Sequence, residues 1–217
     1  MRRVLRDLVV STVFPNGLSS RFHQLVFQPL TDEDAARARE YAFAFESESQ
    51  VVDVRAARVF RADGKVDEAV ERGEGPADDP SIATYTSART YFLHFPRLAA
   101  GDVVELRYRI DDVTARNEFA DYFGELVPLS GIEPKEQVEY VVRAPKARRL
   151  RVTTPKLAGL TVRESEDDEL RTVVVSATNV PALTREPAMP PLGEVRSEEH
   201  TSELQSPCNL VCRLLLE

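Results

Sequence analysis

Histidine is the residue type that most often does chemistry near neutral pH, and residues 1–195 hold two, His23 and His94. His23 shares strand parity with Leu25 and Phe27. His94 lies in the run Tyr91-Phe92-Leu93-His94-Phe95 at the parity opposite Leu93. In such settings a histidine is expected to be a half-buried hydrogen-bonding residue before it is a base or a ligand. Neither has a partner close in sequence, and no HExxH or Cys/His spacing of the kind that binds zinc occurs. The densest polar cluster is 111–122, DDVTARNEFADY. Its oxygens suit calcium, but its spacing is not that of a calcium loop, so the expected role is a turn fixed by side-chain hydrogen bonds and anchored by Phe119, Tyr122 and Phe123. Lys146, Arg148, Arg149 and Arg151 form the concentrated basic patch. No aromatic residue interleaves with them, so a solvated strand edge is expected, not a single-strand nucleic-acid platform. With no glycine-rich phosphate loop and no GxSxG elbow, the residues yield no catalytic, cofactor-binding or metal-ligating assignment.

The elements that would position these side chains are strands. Period-two alternation is clearest where Val104, Leu106, Tyr108 and Ile110 alternate with Val103, Glu105, Arg107 and Arg109. Similar runs occur at 8–14, 22–27, 41–45, 51–60, 91–95, 138–142, 150–152, 160–162 and 170–175. Turn chemistry separates them: Pro15-Asn16-Gly17, Ala62-Asp63-Gly64, Ala100-Gly101-Asp102 and the acidic stretch 164–169. One short helix is expected after Thr31, whose hydroxyl can cap Asp32-Glu33-Asp34 and the alanines beyond. Residues 71–80, rich in glycine, proline and acid, read as a long exposed loop. Many short strands without a βαβ rhythm predict an all-β protein, an antiparallel β-sandwich with little helix. Leu93, Leu106, Tyr108, Ile110, Tyr140 and Val142 are expected to face its core.

At 217 residues the chain can bury a sizeable core, and 42% hydrophobic with 29% charged residues is far from the composition of disorder. A net charge of -8 opposes a nucleic-acid surface. No run approaches the ~20 apolar residues of a membrane span. The start Met1-Arg2-Arg3 is not followed by an uncharged stretch of signal-peptide length, since Arg6 and Asp7 intervene.

Both cysteines, Cys208 and Cys212, lie near the C-terminus. Just before them, RSEEHTSELQS at 196–206 resembles the in-frame translation of a short-read sequencing adapter. Residues 196–217 are therefore expected to be an artefactual tail, never selected to pack and dispensable for stability. Residues 1–195 contain no cysteine, so no disulfide framework, cysteine metal site or thiol nucleophile is expected there. The domain reading is a β-sandwich over 1–180, a proline-rich exit linker over 181–195, and the tail.

Read together, VFPNGLSS at 13–20, Ala57-Arg58-Val59 with Asp63-Gly64, and Phe95-Pro96-Arg97-Leu98 followed by GDVVELRYR at 101–109 resemble a bacterial domain of unknown function. That domain precedes a transglutaminase-like core in many proteins. NEFADYFG at 117–124 and EPAMPP at 186–191 are similar to versions from longer parents. The resemblance implies a β-sandwich that is not itself an enzyme, with no cofactor. Its role would be that of an accessory or docking domain, and its partner the downstream transglutaminase-like domain of an exported or envelope-associated parent. The expected docking surface is apolar and lies at Val180, Leu183, Met189 and Leu192. The alternative is a free-standing sandwich module binding glycan, peptide or calcium.

Overall fold

The computed structural model describes residues 1–76, 87–115, 122–148, 150–154, 159–183 and 209–214. The first hairpin joins β1 (Arg2–Val13) to β2 (Ser19–Pro29). Its turn is possible because Gly17 adopts a φ of 78°, a value that costs a side-chain-bearing residue dearly. Thr31 then accepts from the Asp34 amide and caps α1 (Asp32–Arg37), as its sequence position predicts. The strands continue as β3 (Glu40–Glu46), β4 (Gln50–Phe60), β5 (Val66–Glu68), β6 (Glu71–Pro76), β7 (Ala88–His94), β8 (Val103–Asp112) and β9 (Phe123–Pro128). They end with β10 (Lys135–Pro145), β11 (Leu150–Thr153), β12 (Thr161–Glu166), β13 (Leu170–Val180) and β14 (Asn209–Leu214).

Among the described residues the architecture is all-β: one eight-stranded sheet in the order β12-β13-β10-β1-β2-β8-β4-β5, and two three-stranded sheets, β3-β7-β6 and β11-β14-β9. The pairings are antiparallel except at β1 and β10, which run parallel, with Val9 opposite Tyr140. An all-antiparallel sandwich is therefore corrected at that seam. Hairpin reasoning pairs neighbours in sequence, whereas β10 reaches β1 after the chain has passed through both smaller sheets.

Two apolar clusters form on one face of the large sheet. In the first, Val9, Tyr140, Val142, Val173 and Val175 meet Val127 of β9 and Leu150 of β11. In the second, Leu25, Phe27, Val59, Val104 and Leu106 meet Leu93 of β7, with Tyr41 and Phe43 of β3 packed alongside. The two small sheets thus cover the two halves of the large one. Leu93, Leu106, Tyr108, Tyr140 and Val142 are buried, and Ile110 packs against the second cluster. Glu105 is also buried, but from the opposite face, where Gln24 and Arg107 bond its carboxylate.

Three expectations change. Residues 71–76 of the expected loop form strand β6, because β7 offers an open edge and the Phe92 ring lies over Gly73, where a Cβ would come within 2.7 Å of Cζ. An aromatic ring across the ladder restores the packing that glycine lacks. Residues 77–80 fall outside the described set. In the acidic stretch, Glu164, Ser165 and Glu166 belong to β12, and the turn begins at Asp167, whose carboxylate accepts from the amides of Glu169 and Leu170. Finally, part of the C-terminal tail has a place in the fold: β14 is the middle strand of its sheet. The adapter-like residues 196–206 lie outside the described set.

Candidate functional site

Between the two apolar clusters, the core face of the large sheet turns polar. Asp7 and Ser11 share parity with the buried Val9 and Val13 on β1, and Arg21 and His23 share parity with the buried Leu25 and Phe27 on β2. These four inward-facing positions would be hydrophobic in an ordinary sandwich. Instead they start two hydrogen-bonded chains.

The first chain crosses five strands. Lys135 Nζ donates to Asp7 Oδ2 at 2.7 Å, and Asp7 Oδ1 lies 2.8 Å from His23 Nε2. His23 Nδ1 is 2.9 Å from the Tyr108 hydroxyl, which in turn bonds Tyr41 of the covering sheet. With a neutral ring, Nε2–H donates to the carboxylate and Nδ1 accepts the phenol proton. The second chain centres on Glu125 of β9, which accepts from Ser11 Oγ at 2.6 Å and Tyr140 Oη at 2.8 Å and pairs with Arg21 at 3.1 Å. One chain fastens β3 to the large sheet, and the other fastens β9.

Electrostatics set what the first chain can do. Burial pushes the Asp7 carboxyl pKa up, but the His23 bond and the Lys135 charge outweigh it and hold it well below the usual carboxylate range. Asp7 is therefore an ionised anchor. Burial, reinforced by Tyr41, drives the Tyr108 hydroxyl well above the ordinary phenol value. Tyr108 accordingly remains a neutral donor, and its ring is stacked on Phe43 at a centroid separation of 3.9 Å. Both ring nitrogens of His23 are thus engaged, and the chain bridges the layers from Lys135 of β10 to Tyr41 of β3.

The second histidine sits at the end of the β3-β7-β6 sheet, opposite Glu40 on one side and Glu71 on the other. Its Nε2 bonds Glu40 at 2.7 Å and its Nδ1 lies 3.3 Å from Glu71. The Glu40 hydrogen bond, opposed by partial desolvation and aided by both carboxylate charges, raises the His94 pKa. Among the described residues no group of three or more ligating side chains is arranged to hold a metal.

Of the 111–122 cluster, Asp111 and Asp112 end β8 and bond Ser20, Ser19 and Gln50; residues 116–121 lie outside the described set. Lys146 and Arg148 occupy the turn after β10, and Arg151 is exposed on β11, the edge of its sheet; Arg149 lies outside the described set. Val180, expected on a docking surface, is buried in the first cluster because β13 continues through it. Leu183 is half-buried, with its amide donating to the Gly131 carbonyl, and Met189 and Leu192 lie outside the described set.

A family model describing a domain of unknown function with a solved structure, DUF3857, matches residues 15–184. The match spans everything from the first turn to the end of β13. The chain belongs to the DUF3857 family. Among solved structures, the DUF3857 domain is similar to a candidate protease from Parabacteroides distasonis, with a TM-score of 0.80 and 15% identity. The alignment covers 99% of this chain and 40% of that one. A more distant likeness is to an M1 zinc metallopeptidase from Deinococcus radiodurans, with a TM-score of 0.46 and 13% identity over 98% of this chain and 42% of that one. No curated protein matches. The DUF3857 domain thus spans well under half the length of the solved chains it resembles.

Neither Asp7, Ser11 nor Glu125 is evident as a partner of His23 or Arg21 from local spacing, since 16 residues separate His23 from Asp7 and 85 separate it from Tyr108. The signal that marks them is parity, a polar residue at an inward-facing position, clearest for Ser11 between the buried Val9 and Val13.

Proposed function

We propose that this DUF3857 domain is a non-catalytic accessory domain that docks onto a catalytic domain downstream in its parent, a transglutaminase-like one by the sequence resemblance. The observation that carries this is the fold match to a chain of more than twice its extent described as a candidate protease. The polar seam supports it too, since the groups that would serve as base and nucleophile hold the small sheets in place. The docking surface is assigned to the exit of β13. There Leu183 is tied to the loop before β10, next to the exposed Ile132, and the chain runs on toward Met189 and Leu192. Residues 196–217 are read as foreign to the parent on their adapter-like sequence. Long-read sequencing of the source locus past codon 195 tests that point and identifies the following domain. Calorimetry between the full chain, β14 included, and that separately expressed domain tests docking. Association that Leu183→Asp weakens is expected, and no association at high micromolar concentration sinks the reading.

A further inference from the structure

β9 and β11 do not bond each other. Each pairs antiparallel with β14, so they flank a slot one strand wide, about 9–10 Å across at the usual spacing of paired strands. The family match ends at residue 184, yet the sheet covering the first cluster lacks its middle strand until a segment from beyond that limit enters. Without it, both edges would present unpaired N–H and C=O groups beside an apolar core, which proteins avoid. The register sets Leu210 opposite Val127, Cys212 opposite Glu125 and Val152, and Leu214 opposite Phe123 and Leu150. Val127, Leu150, Phe123 and Val152 all pack on the core. An occupant therefore needs apolar or small residues at every second position, and the rest of its recognition comes from main-chain hydrogen bonds.

We propose that the slot between β9 and β11 is a strand-acceptor site for an extended, alternately apolar segment donated by the chain that follows the sandwich, and that residues 209–214 are an exchangeable occupant. This does not depend on the accessory role above. It is the recognition mode in which a peptide adds a strand by its backbone while pockets read alternate side chains.

The test uses the full chain with a protease recognition sequence inserted after residue 200, cleaved once folded and dialysed to remove the released segment. The probe is a fluorescent peptide of residues 207–217 carrying Cys212→Ser, followed by anisotropy. Saturable micromolar binding to the cut protein is expected. Binding to the uncut chain should be weaker by at least about tenfold, because a tethered competitor acts at an effective concentration on the order of millimolar. A peptide with Leu210→Asp and Leu214→Asp should not bind. Absence of binding to the cut protein, or equal binding to cut and uncut chains, overturns the proposal. Amide hydrogen exchange on the uncut chain covers the case in which cleavage unfolds the domain. There Val211→Pro should release the β9 and β11 amides while those of β1 and β2 stay protected. Free exchange of β9 and β11 amides before any substitution overturns it. Protection lost on dilution, with a dimer in sedimentation, assigns the strand to a second copy and overturns the same-chain occupant.

Discussion

Asp7 illustrates how a residue that breaks a hydrophobic run can be the one that fixes a layer. Substituting alanine leaves Lys135 and His23 facing each other in a poorly solvated seam, and the expected destabilisation is about 3 kcal/mol by urea denaturation. The pH dependence has a definite sign. A carboxyl whose folded pKa is depressed contributes stability that is complete above its unfolded value near 4 and is lost as pH falls through the folded value. Acid titration of stability should therefore be shallower below about pH 4 in Asp7→Asn than in the parent. His94 has the opposite sign, because its pKa is raised in the folded state. Its contribution is complete below the unfolded value near 6.5 and fades as pH rises through the folded one. Proton NMR of the His94 ring should show Glu40→Gln moving its titration back toward the ordinary histidine value; an unchanged midpoint would remove Glu40 as the cause.

At the scale of single elements, β8 is paired on both sides, with β2 on one and β4 on the other. Leu106→Ala opens a cavity at a fully buried site and should cost about 3 kcal/mol without changing the strand content seen by circular dichroism. β6 is the converse case, held by a template. Phe92→Ala should loosen Glu71–Pro76 selectively, read as faster amide exchange there with β3 unaffected. Equal loosening of β3 would mean that the ring supports the whole sheet and not the glycine beneath it. Apart from β5, β6, β9 and β14, which no expected run covers, strand positions and turns were legible because alternation and glycine placement are local: Gly17, Gly64 and Gly101 all take the positive φ that their turns require. β6 was not legible, since its composition disfavours a strand and its pairing partner lies elsewhere in the chain.

For the whole molecule, two cores share one large sheet and are joined along a polar seam, so the layers are held by directional bonds as well as by burial. Removing one chain of that seam should uncouple its covering sheet before the large sheet melts. Glu125→Ala, which frees Ser11, Arg21 and Tyr140 at once, should give a thermal transition in which β9 and β11 amides exchange ahead of β1 and β2. A single cooperative loss would show the seam to be dispensable for coupling.

What the sequence determined by itself was the class of structure. Period-two patterning selects strands, and inward parity names Leu93, Leu106, Tyr108, Tyr140 and Val142 as core, because each follows from neighbours within a few residues. The family was likewise visible in its turn and strand motifs. The tertiary structure decided the rest. The parallel joining of β1 to β10, the meeting of Asp7, His23 and Tyr108, the burial of Val180 and the seating of β14 between β9 and β11 all depend on residues far apart in the chain. No local pattern carries which strand edges remain open after the others have paired, and that is the physical reason these features emerged only in three dimensions.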